Sequence, residues 1–190
     1  MKRLFDFTLA SLGIIFFLPF AVVFAFLVKI EDGGPIFYIQ ERWGKRGKKF
    51  KAYKFRTMVT ESDQKWGAKP AKENDERITK TGKFLRATAM DELPQLINIW
   101  KGDMSFVGPR ALAVAELDAR HPGFLLRHQI RPGLTGLAQV YASRDASFEE
   151  KFHYDLDYIG SRTFLGDLKL IFLSFGITLR GKWESRQKKV

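Results

Sequence analysis

Two adjacent carboxylates stand inside Met90-Asp91-Glu92-Leu93-Pro94-Gln95-Leu96, followed closely by a proline. With Asp91 at a helix N-cap, Pro94 falls in the first turn, where the helix does not need the missing N–H. Both side chains then sit at the end of a helix that favours anions. Neighbouring helical residues diverge, so the two carboxylates can meet different partners. One can attack phosphorus while the other holds Mg²⁺. Taken in isolation, an Asp-Glu-Leu-Pro run is more simply an N-cap with a dipole contribution.

Cations that could serve such chemistry lie nearby in sequence. Arg110 follows Gly108-Pro109 on a stiff turn, a suitable mount for a guanidinium that must clamp phosphate oxygens bidentately. Arg86 precedes Asp91 by five residues, and Lys54 and Arg56 add positive charge. Taken singly, each is an ordinary surface cation.

A chain of 190 residues holds one catalytic domain with a proper core, and so one active site. Its formal net charge of +11, from 32 Lys and Arg against 21 Asp and Glu, points to anionic partners: lipid headgroups, phosphorylated substrates or nucleic acid. The absence of cysteine excludes disulfides, thiolate nucleophiles and Cys-based metal sites, while oxygen-ligated Mg²⁺ stays open.

The elements that would position these residues begin with a membrane segment. Phe7 to Val28 is a run of 22 residues without a charge, and about 20 apolar residues cross a bilayer as a helix. A cleaved signal peptide fits poorly, because the run exceeds a signal h-region and no small-residue cleavage site follows. Pro19 interrupts the run and predicts a kink or break, since its ring opposes the carbonyl of Ile15. Lys2 and Arg3 precede the run, and a larger basic group from Lys29 to Arg56 follows it. Hydropathy reads as a single span; the positive-inside rule is also satisfied by a segment that enters, turns at Pro19 and returns.

Beyond a break at Gly33-Gly34-Pro35, the segment from Arg42 to Lys49 reads as a hairpin or loop suited to a phosphate-rich surface, with a solvated turn as the plain alternative. Phe50 to Met58 reads as a strand, and Glu61 to Glu76 as a mobile surface loop near the active site. Arg77 to Lys101 predicts two helices separated at Asp91. Further helices are expected over Ala111 to Ala119, Phe148 to Ile159 and Phe164 to Leu179, with loops between them and a basic tail from Arg180 to Lys189. The helix from Phe164 suits either the membrane interface or the core.

Taken together, the segments resemble the bacterial sugar transferase family, the monotopic phosphoglycosyl transferases. The resemblance runs nearly end to end: Lys2-Arg3-Leu4-Phe5-Asp6, Lys54-Phe55-Arg56-Thr57-Met58, Met90 to Leu96, Lys101-Gly102-Asp103-Met104-Ser105-Phe106-Val107-Gly108-Pro109-Arg110, and Arg131-Pro132-Gly133-Leu134-Thr135-Gly136 with Gln139. The chain looks like the family's minimal form, without the extra N-terminal membrane domain of larger members. The resemblance implies a mainly helical α+β fold. Residues 1–33 would form a re-entrant membrane helix broken at Pro19, with both ends cytoplasmic. Residues 34–190 would form a compact catalytic domain with a short β-hairpin and amphipathic interfacial helices, among them 164–180.

The same resemblance implies transfer of a phosphosugar from a UDP-sugar to polyprenyl phosphate, with undecaprenyl phosphate as the expected acceptor, at the cytoplasmic face of the bacterial inner membrane. Asp91 would be the nucleophile, forming an aspartyl-phosphosugar intermediate and expelling UMP. Glu92 would bind Mg²⁺, and Lys54, Arg56, Arg86, Arg110, Arg131 and Gln139 would bind phosphate or support the dyad. Membrane lipids are expected partners, nucleic acid is not, and a homodimer is compatible with the sequence.

Two departures from the family pattern stand out. Ala111 follows Arg110 where a second proline is usual, which predicts a looser turn, and Leu18 precedes Pro19 where a serine is frequent. Two rival readings remain: a membrane-anchored basic module that binds nucleic acid or acidic lipid, and direct transfer with Asp91 acting as a base. Sugar specificity is expected in the loops around Ala111 and from Gln139 to Asp145.

Overall fold

The structure, a computed structural model, describes residues 1–60, 75–120, 123–143 and 145–180. The expected loop from Glu61 lies outside the described residues except for Asp75 and Glu76, and so does the basic tail after Arg180.

The first element is α1 (Lys2–Asp32), which does not end at Pro19. It stops at Gly33, whose left-handed φ of 72° lets its N–H reach the carbonyl of Lys29; glycine adopts that conformation without a Cβ clash. Although apolar all round, α1 buries one stripe. Asp6, Ala10, Ile14, Phe17, Ala21, Phe24, Ala25 and Val28 recur at helical spacing and pack on the rest of the protein. The opposite face, including Leu12, Ile15, Phe16, Val22, Val23 and Phe26, is exposed.

Both ends of α1 are tied to the same body. At the start, Lys2 pairs with Asp167 at 2.5 Å, Arg3 donates to the carbonyls of Ile99 and Trp100 at 2.6 Å each, and Asp6 accepts from Ser105 Oγ and the Phe106 N–H. At the end, Glu31 accepts from the N–H groups of Lys80 and Thr81, and Asp32 forms a two-pronged ion pair with Arg56.

Strands β1 (Phe37–Trp43) and β2 (Lys49–Phe55) form the expected antiparallel hairpin, with Phe37 opposite Phe55 and Trp43 opposite Lys49. Its connection contains a short 3₁₀ turn, Lys45–Gly47. Two helices follow, α2 (Lys80–Ala87) and α3 (Gln95–Lys101), so the expected division around Asp91 is present. A parallel pair, β3 (Ser105–Val107) with β4 (Gly133–Thr135), holds the Gly-Pro-Arg turn against the Arg131 segment. Short helices α4 (Phe124–Arg127) and α5 (Leu137–Tyr141) precede the longer α6 (Phe148–Ser161) and α7 (Phe164–Leu179).

The expected helix over Ala111 to Ala119 is absent. The segment instead runs extended beside β1: Trp43 N–H donates to Leu112 O, Val114 N–H donates to Glu41 O, and Arg42 bridges Ala113. Ala111 and Ala113 are buried while Leu112 and Val114 are half-buried. That alternation suits an added strand edge, which outweighs alanine's helix preference.

Helix α7 packs into the core along one side and leaves an apolar face exposed on the other. Leu170, Ser174 and Ile177 enter the core, whereas Phe164, Leu165, Phe172, Phe175 and Leu179 are exposed.

Candidate active site

Asp91 and Glu92 stand on a 3₁₀ turn, Met90–Glu92, rather than at the N-cap of a helix. The cap position of α3 belongs to Pro94. Leu93 N–H bonds back to Met90 O and Leu96 N–H to Leu93 O, so the tight turn runs directly into α3. Ala89, immediately before the turn, has a left-handed φ of 54°. A non-glycine residue there stores strain of roughly 1 kcal/mol or more, and such residues cluster at functional sites.

Glu92 is buried and ion-paired with Lys54 of β2. Burial by itself would raise its pKa, but Lys54, Arg110 and Arg42 outweigh that and hold the carboxyl down at about 2. Glu92 is therefore ionised throughout the physiological range. Its partner is positioned by Asn98, a fully buried side chain on α3. Asn98 Oδ1 accepts from the Tyr53 N–H at 3.1 Å, while Nδ2 donates to Lys51 O at 2.8 Å and Asp103 at 3.2 Å. These bonds fix α3 along the open edge of β2 and set the register that brings Lys54 to Glu92.

Arg110 is exposed at its tip but held at its backbone. Its carbonyl accepts from Arg127 Nη2 at 2.6 Å, and the next carbonyl, that of Ala111, accepts from Arg42 Nη1 at 2.7 Å. Arg127 is itself buried against Asp155 at 2.7 Å, and Arg42 is braced by Gln40. Burial lowers the pKa of Arg127 and raises that of Asp155. Gly108 is required by close approach: a Cβ there would lie 2.5 Å from the Arg131 carbonyl. The looseness expected from Ala111 is thus met by two guanidinium clamps on consecutive carbonyls.

The structure brings together Asp91, Glu92, Lys54 and the Arg110 turn, and adds Arg42, whose charge acts on Glu92. Arg86 lies in the last turn of α2, on the approach to the dyad. Gln139 is buried beside the turn, since a Cβ on Gly136 would fall 2.9 Å from its Oε1 and 2.2 Å from Gly108 O. Arg56 has a different placement: it binds Asp32, Pro35 O and Val28 O and so fastens the end of α1. Arg131 turns away from the dyad, donating through Nε to Gly102 O at 2.7 Å. Sequence reasoning missed Arg42, Asn98, Arg127 and Asp155. A buried arginine or asparagine looks like any surface polar residue until its distant carbonyl partners are known.

Among the described residues no cluster of three metal-ligating side chains occurs. The donor set at the dyad, two neighbouring carboxylates, still fits Mg²⁺, which commonly takes one or two protein carboxylates and completes its shell with substrate phosphate and water.

These features define a mainly helical α+β protein with an apolar N-terminal helix and a site where paired carboxylates meet cations, the equipment of phosphoryl transfer. The chain belongs to the bacterial sugar transferase family, whose pattern it matches over residues 1–181. It is 43% identical over 182 residues to a UDP-glucose:undecaprenyl-phosphate glucose-1-phosphate transferase of Klebsiella pneumoniae, covering 91% of this chain and 39% of that protein. It is 40% identical to the sugar transferase EpsL of Bacillus subtilis, covering 92% of this chain and 85% of the relative. A UDP-N-acetylgalactosamine-undecaprenyl-phosphate N-acetylgalactosaminephosphotransferase of Aeromonas hydrophila is 37% identical over 95% of this chain and 44% of its own length. The chain therefore spans about two fifths of the Klebsiella and Aeromonas proteins.

Proposed function

We propose that this protein transfers a phosphosugar from a UDP-sugar to polyprenyl phosphate at the cytoplasmic face of the bacterial inner membrane, an early membrane step in glycoconjugate or exopolysaccharide assembly. The observation that carries the reading is the dyad: Asp91 beside a Glu92 kept ionised by Lys54, Arg110 and Arg42, in a chain of the sugar transferase family.

Asp91 attacks the sugar-linked phosphorus, the bond to the UMP oxygen breaks, and UMP leaves with that electron pair. The resulting acyl phosphate is then attacked by an oxygen of polyprenyl phosphate, which releases the Asp91 carboxylate and gives polyprenyl-diphosphate-sugar. A carboxylate nucleophile divides one difficult displacement into two. Glu92 is the residue that would hold Mg²⁺, which supplies charge neutralisation on the diphosphate when bound. Arg110 clamps the phosphoryl oxygens from a backbone that cannot wander, while Lys54 keeps Glu92 oriented and Arg86 adds charge on the side of α2.

A water-soluble donor and a hydrocarbon acceptor require a site within reach of both phases. The length and composition of α1 suit a membrane, and its two ends are fastened to one body. Those attachments favour entry and return over a crossing, which would separate the ends by the bilayer thickness.

The test is intact mass after incubation of the purified protein with Mg²⁺ and a panel of UDP-sugars, without lipid acceptor. A phosphosugar-sized increase is expected in the wild type and none in Asp91→Asn, which should also lose turnover by several orders of magnitude. Release of UMP only after polyprenyl phosphate is added, with no adduct, would replace the covalent route by direct transfer.

A further inference from the structure

A cleft of about 460 Å³ lies between the hairpin connection and the end of α3, lined by Gly44, Lys45, Lys48, Lys49, Asp103 and Arg131 among others. Arg46 lies on the same wall. Five cations converge there. Among the described residues none of the five forms a salt bridge, and the Asp103 carboxylate is bonded by Asn98. Lys49 lies over the Trp43 ring at 5.4 Å, but assembling like charges without counter-ions opposes folding, and a bound anion removes that opposition.

Arg131 gives the cleft a fixed element. It is half-buried and anchored through Nε to Gly102 O, while its two terminal nitrogens have no protein acceptor among the described residues. A guanidinium held in this way presents a planar fork to phosphate oxygens. The connection is shaped around a strained residue, Arg46, with φ 58°.

The position of the cleft excludes the reacting phosphate. The whole length of α3, roughly 10 Å at its helical rise, separates the dyad at one end from Gly102 and Asp103 at the other. The rim points instead to an amphiphile. Gly102 lies against Arg3, since a Cβ there would meet its guanidinium at 3.2 Å. Beside Arg3, Phe7 and Trp100 stack at 5.9 Å, both exposed, and continue into the bare apolar face of α1. A cationic cleft whose edge is apolar and aromatic matches a phosphodiester head joined to acyl chains.

We infer that this cleft is a binding site for an anionic phospholipid headgroup, distinct from the Asp91 site. The inference needs membrane contact but does not rest on the transferase reading. The headgroup sits between Arg131 and the lysines of the connection, with its chains along Phe7 and Trp100.

The test uses the full chain in detergent micelles, titrated separately with dioctanoyl phosphatidylglycerol, dioctanoyl phosphatidylcholine, inorganic phosphate and UMP, with lipid adducts counted by native mass spectrometry. Phosphatidylglycerol should bind and phosphatidylcholine should not. Lys45→Gln/Lys48→Gln/Lys49→Gln should weaken that binding at least tenfold, while the equal charge change Lys80→Gln/Lys83→Gln/Lys169→Gln leaves it unchanged. If the triple variant loses its thermal transition, Lys48→Glu is read in its place. Equal binding of the two lipids, or undiminished binding by the variant, overturns the inference. So does inorganic phosphate binding as tightly as the lipid, or displacement by UMP, either of which makes the cleft a subsite for soluble phosphates. Loss of transferase activity on every donor would leave these lipid results standing.

Discussion

At the scale of single residues, the site is a problem of holding charge in place. Glu92 has a folded-state pKa below that of an unfolded glutamate, so its contribution to stability is complete above about pH 4.3 and is lost as pH falls toward about 2. Glu92→Gln also leaves Lys54 without its partner, a change that costs about 3–5 kcal/mol when a buried pair is broken. The difference in melting temperature between wild type and Glu92→Gln should be large at pH 7 and shrink steadily between pH 4 and pH 2. A difference independent of pH would show that the carboxylate charge is not what stabilises the turn. Arg42 invites a gentler change. Lysine keeps its charge but cannot reach Ala111 O and Gln40 together, so Arg42→Lys should lower kcat/KM on the order of tenfold, about 1.4 kcal/mol, with little change in melting temperature. Unaltered kinetics would remove the clamp from the catalytic account. Asp91, Glu92, Lys54 and Arg110 stood out in the sequence because each belongs to a short motif, and the fold pairs Lys54 with Glu92 and brings the Arg110 charge to bear on it. Arg42 and Arg127 did not stand out, because their targets are backbone carbonyls 69 and 17 residues away.

At the scale of elements, the hairpin and α3 act as one unit through Asn98, and the hairpin, the paired helices around Asp91 and the last two helices were all readable from turn residues and periodicity. The parallel pair β3 and β4 falls in stretches expected to be loops, and two further elements escaped that reading. The Ala111 segment has the composition of a helix but is recruited as an edge by β1, a tertiary effect that no local pattern reports. The dyad turn is 3₁₀ rather than an N-cap because the chain enters it from a left-handed Ala89, and alanine gives no sign of that conformation. For α1, apolar composition on every side concealed which stripe is docked; only the small residues Ala10, Ala21 and Ala25 hint at close packing. Because that stripe continues on both sides of Pro19, docking rather than proline should hold the helix in place. Pro19→Ala is therefore expected to leave residues 4 and 30 reactive from the same side of the membrane when each is replaced by cysteine and labelled with an impermeant reagent. Labelling from opposite sides would show that proline supplies the return.

At the scale of the whole molecule, α1 and the rest of the protein share a core. Ala10 joins Leu96, Ile99, Met104 and Ala111, and Val28 joins Phe55 and Leu85. Residues 34–190 produced alone should therefore lack a cooperative thermal transition, with exposed apolar surface revealed by dye binding; a sharp transition in that fragment would mean that α1 is only an attachment. The net charge of +11 led to an expectation of anionic partners, but the separation of its cations into a group around Glu92 and a group lining a cleft at the far end of α3 required the fold. The fastening of α1 also imposes an order on biosynthesis. Lys2 emerges from the ribosome well before its partner Asp167, which lies 165 residues later, on the order of ten seconds at ordinary elongation rates. Throughout that interval the apolar helix has its basic end unlatched. A nascent chain stalled before α7 therefore carries the apolar helix without the pair that secures its basic end.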